Sequence, residues 1–184
     1  MLIIAVDGPS ASGKGTVAKI IAEYFRIRYL DTGLLYRALA FKTLKNFKTA
    51  SLKNALKIVN GLKTDDFTDP QLRLQKFGEI ASKLAQEKLI RDRLLAFQRN
   101  FPIGSNGAVL DGRDIGSIVF PEAQIKLFIT ANLSVRALRR QKEMKKMGEN
   151  ISLKDVEASL RDRDKRDMNR AVAPLKCLDD AMLI

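Results

Sequence analysis

Residues 8 to 16, Gly8-Pro9-Ser10-Ala11-Ser12-Gly13-Lys14-Gly15-Thr16, combine glycines, hydroxyls and one lysine in the spacing of a phosphate-binding loop. Glycine lets the backbone wrap closely around an anion, and successive N–H groups then converge on it beside a positive helix terminus. Lys14 is placed to reach β- and γ-phosphate oxygens, so the target is a nucleoside triphosphate. The strict pattern puts Ser or Thr directly after the lysine, whereas here Gly15 intervenes before Thr16. Mg²⁺ is therefore expected to be held mainly by phosphate oxygens and water, with help from Thr16 and from Asp111 at the end of an apolar strand. A turn or capping aspartate is the competing reading of Asp111.

Further charged residues fall at comparable junctions. Asp31-Thr32-Gly33-Leu34-Leu35-Tyr36-Arg37 follows a strand and opens a helix, and an arginine one turn in can grip a second phosphate with both arms. Taken alone, Arg37 reads more readily as an ordinary surface arginine. Asp111-Gly112-Arg113-Asp114-Ile115-Gly116 follows Ala108-Val109-Leu110, beyond the strand ends where open parallel sheets bind ligands. Arg163, Asp167 and Arg170 recur at i, i+4, i+7 and share one helical face, as a ligand site requires and as a solvated, salt-bridged helix also produces.

The elements that must position these residues follow from apolar patterning. Leu2 to Val6 and Ile125 to Ile129 read as buried strands, like Ala108 to Leu110. Val17, Ile20, Ile21 and Tyr24 recur at helical spacing after the glycine loop. Alternating strands and helices predict an α/β fold, a parallel sheet covered on both faces. From about Thr49 to Phe101 the chain reads as helical, with Phe77, Ile80, Ala81 and Leu84 on one face and no strand. Ser152 with Asp155 resembles a capping box ahead of Leu153, Val156 and Leu160. Asp179 to Ile184 reads as the start of one more strand, with a further strand and helix expected beyond it.

Bulk composition narrows the chemistry. The 184 residues, 46% of them hydrophobic, suit one domain with a good core. A formal charge of +12 favours anionic partners. One cysteine, Cys177, and no histidine exclude a disulfide framework, a Cys/His zinc site and any histidine triad. No apolar run approaches the ~20 residues of a membrane span, and no leader precedes Asp7, so a soluble cytoplasmic protein is expected.

The GPSASGKGT loop, DTGLLYR, VLDGRDIG and RDRDKRDMNRAVAPL, in that order over nearly the whole chain, resemble bacterial cytidylate kinases of the P-loop nucleoside monophosphate kinase family. That resemblance implies a doubly wound parallel sheet with a helical monophosphate-binding segment and an Arg-rich lid. The core falls at about 1–45 and 102–184, the monophosphate-binding segment at about 46–101 and the lid at about 140–165, within a single kinase domain spanning 1–184. The implied activity is phosphoryl transfer from ATP, with Mg²⁺, to CMP and dCMP. Gly8 through Thr16 would bind ATP, and Lys14, Arg113, Arg163 and Arg170 would act in catalysis. Arg37, Arg113 and Arg170 look like clamps on the CMP phosphate, Arg163 and Asp167 like sugar contacts, and Ser82, Arg91 and Asp114 like cytosine readers, with Thr32 also on the CMP side. Cytosine offers an amine donor beside N3 and O2 acceptors, which suits Asp114 and Arg91 and disfavours uracil. One departure is that the residues between Asn60 and Phe77 are too few and too strand-poor for the β insertion many members carry.

The acceptor phosphate is already anionic and needs no general base, so catalysis is positioning and charge stabilisation. Lid candidates are Arg136, Arg139, Arg140 and Arg161. Two other functions share features with this chain: a small P-loop kinase for UMP, AMP or a non-nucleotide such as shikimate, and a basic P-loop ATPase that binds nucleic acid. The first does not explain VLDGRDIG with the terminal NRAVAPL. The second should interleave aromatics with basic residues, which this chain does not do. The expected partners are therefore small nucleotides, with no nucleic acid and no membrane, and a monomer.

Overall fold

A strand with no polar residue to show to water must be covered on both faces. In the computed structural model, which describes all 184 residues, Leu2 to Val6 lies within such a strand, β1 (Leu2–Asp7), with Ile3 through Val6 buried. The chain divides into two units, one of Met1–Asp31 with Arg99–Ile184 and one of Thr32–Gln98.

The first unit is built on a five-stranded parallel sheet ordered β2-β3-β1-β4-β5. Its other strands are β2 (Arg28–Asp31), β3 (Gly107–Gly112), β4 (Ile125–Phe128) and β5 (Met182–Leu183). Strands added first on one side of β1 and then on the other make the sheet doubly wound, because right-handed crossovers put helices on both faces. Register aligns the strand ends: Asp7 pairs with Gly112 and Phe128, and Asp31 pairs with Asp111. Polar side chains at the carboxyl edge are thereby gathered into one row.

Helix α1 (Lys14–Phe25) starts at Gly13, whose φ of 102° only glycine adopts comfortably. The expected apolar stripe is one residue out of phase. Ala18 and Ala22 are buried, while Ile20 and Tyr24 are exposed. Small side chains let the helix approach Ile4, Val6 and Val109 closely, and that packing outweighs the larger residues' hydrophobicity.

The second unit consists of α2 (Thr32–Phe47), α3 (Leu52–Ile58), α4 (Gln75–Leu84) and most of α5 (Lys88–Asn100) around Leu35, Leu39, Leu72, Ile90 and Leu94. It contains no strand, and residues 59 to 73 form three short 3₁₀ turns. Phe77, Ala81 and Leu84 face its core and Ile80 packs beside them, as their spacing requires.

Back in the first unit, α6 (Leu133–Lys146) packs on α7 (Leu153–Asn169) through Ala137, Met144, Val156 and Leu160. Ser152 caps α7 by accepting from the Asp155 N–H. No helix is long and apolar enough to cross a membrane.

The glycine loop leaves β1 against the end of β4. A Cβ on Gly8 would lie 2.0 Å from the Ile129 carbonyl oxygen, and Gly8 has φ 154°. Gly8→Ala should therefore cost roughly 3 kcal/mol, read as a lower urea midpoint at unchanged slope.

Candidate active site

The loop from Gly8 to Gly13 brings Lys14 over the carboxyl edge of the sheet in the first unit. Lys14 Nζ donates to the Pro9 carbonyl at 3.3 Å. Burial, with the Arg113 guanidinium nearby, pulls its pKa down to about 8, against the pull of Asp111 and Asp31. The Ser12 hydroxyl is buried in the same loop without a hydrogen-bond partner. An anion cradled here would relieve both groups.

Beneath the lysine, Asp111 Oδ1 accepts from the Tyr29 hydroxyl at 3.0 Å. Burial first, and the paired Asp31 second, push the Asp111 carboxyl up to about 7. Gly15 lies against this pair, since a Cβ there would sit in ordinary contact, 3.4 Å from both Asp111 Oδ2 and the Tyr29 hydroxyl oxygen. No cluster of three His, Cys, Asp or Glu side chains could cage a metal. The hard oxygens of Asp111 and Asp31 beside a phosphate loop suit a Mg²⁺ that keeps its waters and is held chiefly by phosphates. Thr16 lies in the first turn of α1 and is exposed.

A second group of cations stands on the loop after β3 and on α7. Arg113 Nε donates to Asp167 Oδ2 at 2.9 Å, and Arg163 Nε lies 3.8 Å from the same oxygen. Burial and Arg113 lower the Arg163 pKa to about 10, and its Nε is buried without a hydrogen-bond partner. Asp167, which burial alone would raise, is held below its usual value by Arg113 and Arg163. Arg170, just past α7, is buried, with NH2 3.4 Å from Asp114 Oδ1 and Nε on the Ala173 carbonyl. Lys14, Arg113 and Arg163 thus form one electropositive cluster, and the Asp114–Arg170 pair adjoins it, Asp114 following Arg113 on the loop after β3.

The arginines of α6 divide in use. Arg136 is buried and donates to the carbonyls of Ala131 and Ser10, with NH2 2.7 Å from Asp164. Arg139 donates to the Ser12 carbonyl. Both brace the phosphate loop, whereas Arg140 pairs with Glu143; on α7 the exposed Arg161 pairs with Glu157.

Within the second unit, Thr32 opens α2 and is buried. Arg37 donates to the carbonyls of Leu72 and Leu74 at 2.7 and 3.1 Å. Ser82 and Arg91 are both buried, and Arg91 donates to the Ala85 carbonyl.

Two residues with a part in the site escaped the sequence reading. Tyr29 lies on a four-residue strand with too little pattern to mark it. Asp7 is buried and its carboxyl is pushed up to about 6 by burial. An ionisable residue closing an all-apolar strand was the available signal for Asp7.

A family model described as Cytidylate kinase matches residues 4–184. Among curated proteins, the Cytidylate kinase of Rhodopseudomonas palustris is 46% identical over 184 residues, which cover 100% of this chain and 87% of the relative. That of Paramagnetospirillum magneticum is 46% identical over 186 residues, covering 99% and 88%. That of Xanthobacter autotrophicus is 45% identical, covering 100% and 88%. A crystal structure of an uncharacterized protein from Eubacterium ventriosum superposes with a TM-score of 0.55 at 17% identity, covering 100% of this chain and 88% of that one, and this supports the fold alone.

A polyphosphate beside Lys14 favours its ammonium form, so binding must lift the pKa from about 8 and take up protons near that pH. Affinity for ATP should be steady below this range and fall as pH rises through it. Calorimetric titration at that pH in two buffers of different ionisation enthalpy should report uptake of about half a proton.

Proposed function

This chain belongs to the cytidylate kinase family, and we propose that it transfers the γ-phosphoryl group of ATP to CMP and dCMP, giving ADP and CDP or dCDP. The observation that carries the reading is the partly buried cluster of Lys14, Arg113 and Arg163 at the mouth of a phosphate loop. Two phosphate chains brought together repel one another, and fixed cations at that place stabilise the charge shared during transfer.

Backbone N–H groups between Ser10 and Thr16 hold the triphosphate, and Lys14 neutralises its β and γ oxygens. Mg²⁺, when bound, supplies further charge neutralisation, with Asp111 and Thr16 orienting its water shell. The CMP phosphate is the nucleophile and is already ionised, so no residue has to remove a proton. By their places in the family's motifs, Arg113, Arg170 and Arg37 clamp that phosphate. Arg163 and Asp167 hold the sugar. Asp114 accepts from the cytosine amine, while Arg91 and Ser82 meet the ring acceptors. Thr32 completes the CMP set. Asp167 and Asp114, paired with Arg113 and Arg170, help to hold the two guanidinium groups in place.

Arg140 and Arg161 are the better candidates for a mobile lid within residues 140–165, because Arg136 and Arg139 brace the phosphate loop. Closing such a segment would exclude water from the reacting phosphates. The protein is proposed to act as a monomer in the cytoplasm, on free nucleotides and not on nucleic acid.

The test is ADP release from ATP and Mg²⁺ with CMP, dCMP, UMP, AMP or no acceptor. CMP and dCMP should support strong turnover, and ADP formed equally without an acceptor, or only with AMP, would sink the proposal. Lys14→Met should lower kcat by roughly 100-fold or more. Asp114→Ala should leave turnover measurable and lower the preference for CMP over UMP by about tenfold.

A further inference from the structure

Asp7 closes β1 with 7% of its surface exposed, and no substrate contact proposed above uses it. Its two carboxylate oxygens are both engaged across the sheet edge. Oδ1 accepts from the Ile115 N–H at 2.9 Å, and Oδ2 from the Gly116 N–H at 2.8 Å. These amides open the π turn Ile115–Val119, and the first amides of any helical turn have no acceptor within the turn. The residues immediately before them are Arg113 and Asp114, whose side chains meet Asp167 and Arg170. Gly116 is part of the fit, since a Cβ there would come within 3.2 Å of Lys126 Cδ and 3.5 Å of Asp7 Oδ2.

We propose that Asp7 is a positioning residue for the acceptor nucleotide, anchoring the loop after β3 so that Arg113 meets the acceptor phosphate and Asp114 meets the base. The inference rests on the CMP kinase reading and deepens it. Geometry explains why an aspartate is needed. Two convergent N–H donors require two acceptor oxygens, and asparagine, similar in size, offers one oxygen and turns an NH₂ against the other donor. Burial lifts the carboxyl to about 6 even though both amide bonds lower it, so above that pH the group is the two-acceptor carboxylate. The anchor also ties β1, which launches the phosphate loop, to the segment that reads the base. Its loss should nevertheless fall on the acceptor side, because Lys14 and the loop from Gly8 to Gly13 are held separately by Arg136 and Arg139.

The test compares wild type, Asp7→Asn, Asp114→Ala and the double variant at a pH well above 6, with CMP and UMP as acceptors at saturating ATP and Mg²⁺. Asp7→Asn should raise the KM for CMP about tenfold, the scale of one charge-assisted bond lost and one donor left facing a donor. Its affinity for ADP should stay within about threefold of wild type, whereas kcat should fall along with the rise in KM, because Arg113 also belongs to the cluster that stabilises the transferred charge. Its preference for CMP over UMP should fall, and in the Asp114→Ala background Asp7→Asn should change that preference by less than about twofold, because the two act through one loop. A folded Asp7→Asn with wild-type KM and preference, or one that loses ADP affinity as much as CMP affinity, overturns the inference. Amide hydrogen exchange on the wild type gives an independent reading should the variant not fold: the Ile115 and Gly116 amides must be protected, and fast exchange at both overturns the anchor. Absence of CMP turnover in the wild type overturns the functional reading and this inference with it, whereas turnover with an unaffected Asp7→Asn overturns this inference alone.

Discussion

Holding partly buried cations close beside one another is the constraint on which the first unit depends. Lys14 and Arg163 both hold their protons less tightly than usual, and in each case burial acts first and the Arg113 guanidinium second. Nothing within the fold gains from this, because desolvating a cation beside another cation is costly. Such a cost persists where a ligand removes it. Fixed cations that meet a polyanion need no rearrangement at the moment of reaction, which is the condition for electrostatic catalysis.

The carboxylates around this cluster have distinct tasks set by register. Asp31 and Asp111 are paired residues of adjacent parallel strands, so both acids sit on one edge below Lys14 and one of them resists ionisation. Asp167 instead faces Arg113 and Arg163 from α7 and ionises readily. Asp7, one position beyond the Val6–Asp111 pair, is turned to backbone amides and not to cations. Three buried aspartates within one unit thus differ in protonation because of what their neighbours are, not how deeply they lie.

Much of the fold was legible in the sequence for a physical reason. Strands buried on both faces have to be uninterrupted apolar runs, and Leu2 to Val6 and Ala108 to Leu110 are such runs. The Ser152 cap was legible because its bond is local, made within three residues. What could not be read depends on contacts between distant segments. The phase of α1 was set by how closely Ala18 and Ala22 let it approach the sheet. Arg136 looked like a lid arginine, but its partners at Ser10 and Asp164 come from opposite ends of the chain. Tyr29 and Asp7 acquire their roles only once β3 lies beside β2 and β1. Lys14, Arg113, Asp167 and Arg170 were legible as a set because the glycine loop and the ordered motifs are specific, while their pairing with carboxylates had no sequence signal beyond charge.

Thermal unfolding of the wild-type protein in inorganic tripolyphosphate, against sodium chloride at matched ionic strength, tests the central claim most directly. If the partly buried cation cluster awaits a polyphosphate, tripolyphosphate must raise the midpoint by several degrees, since a ligand at about 100 times its Kd adds roughly 2.7 kcal/mol. Identical midpoints in the two salts would contradict the account.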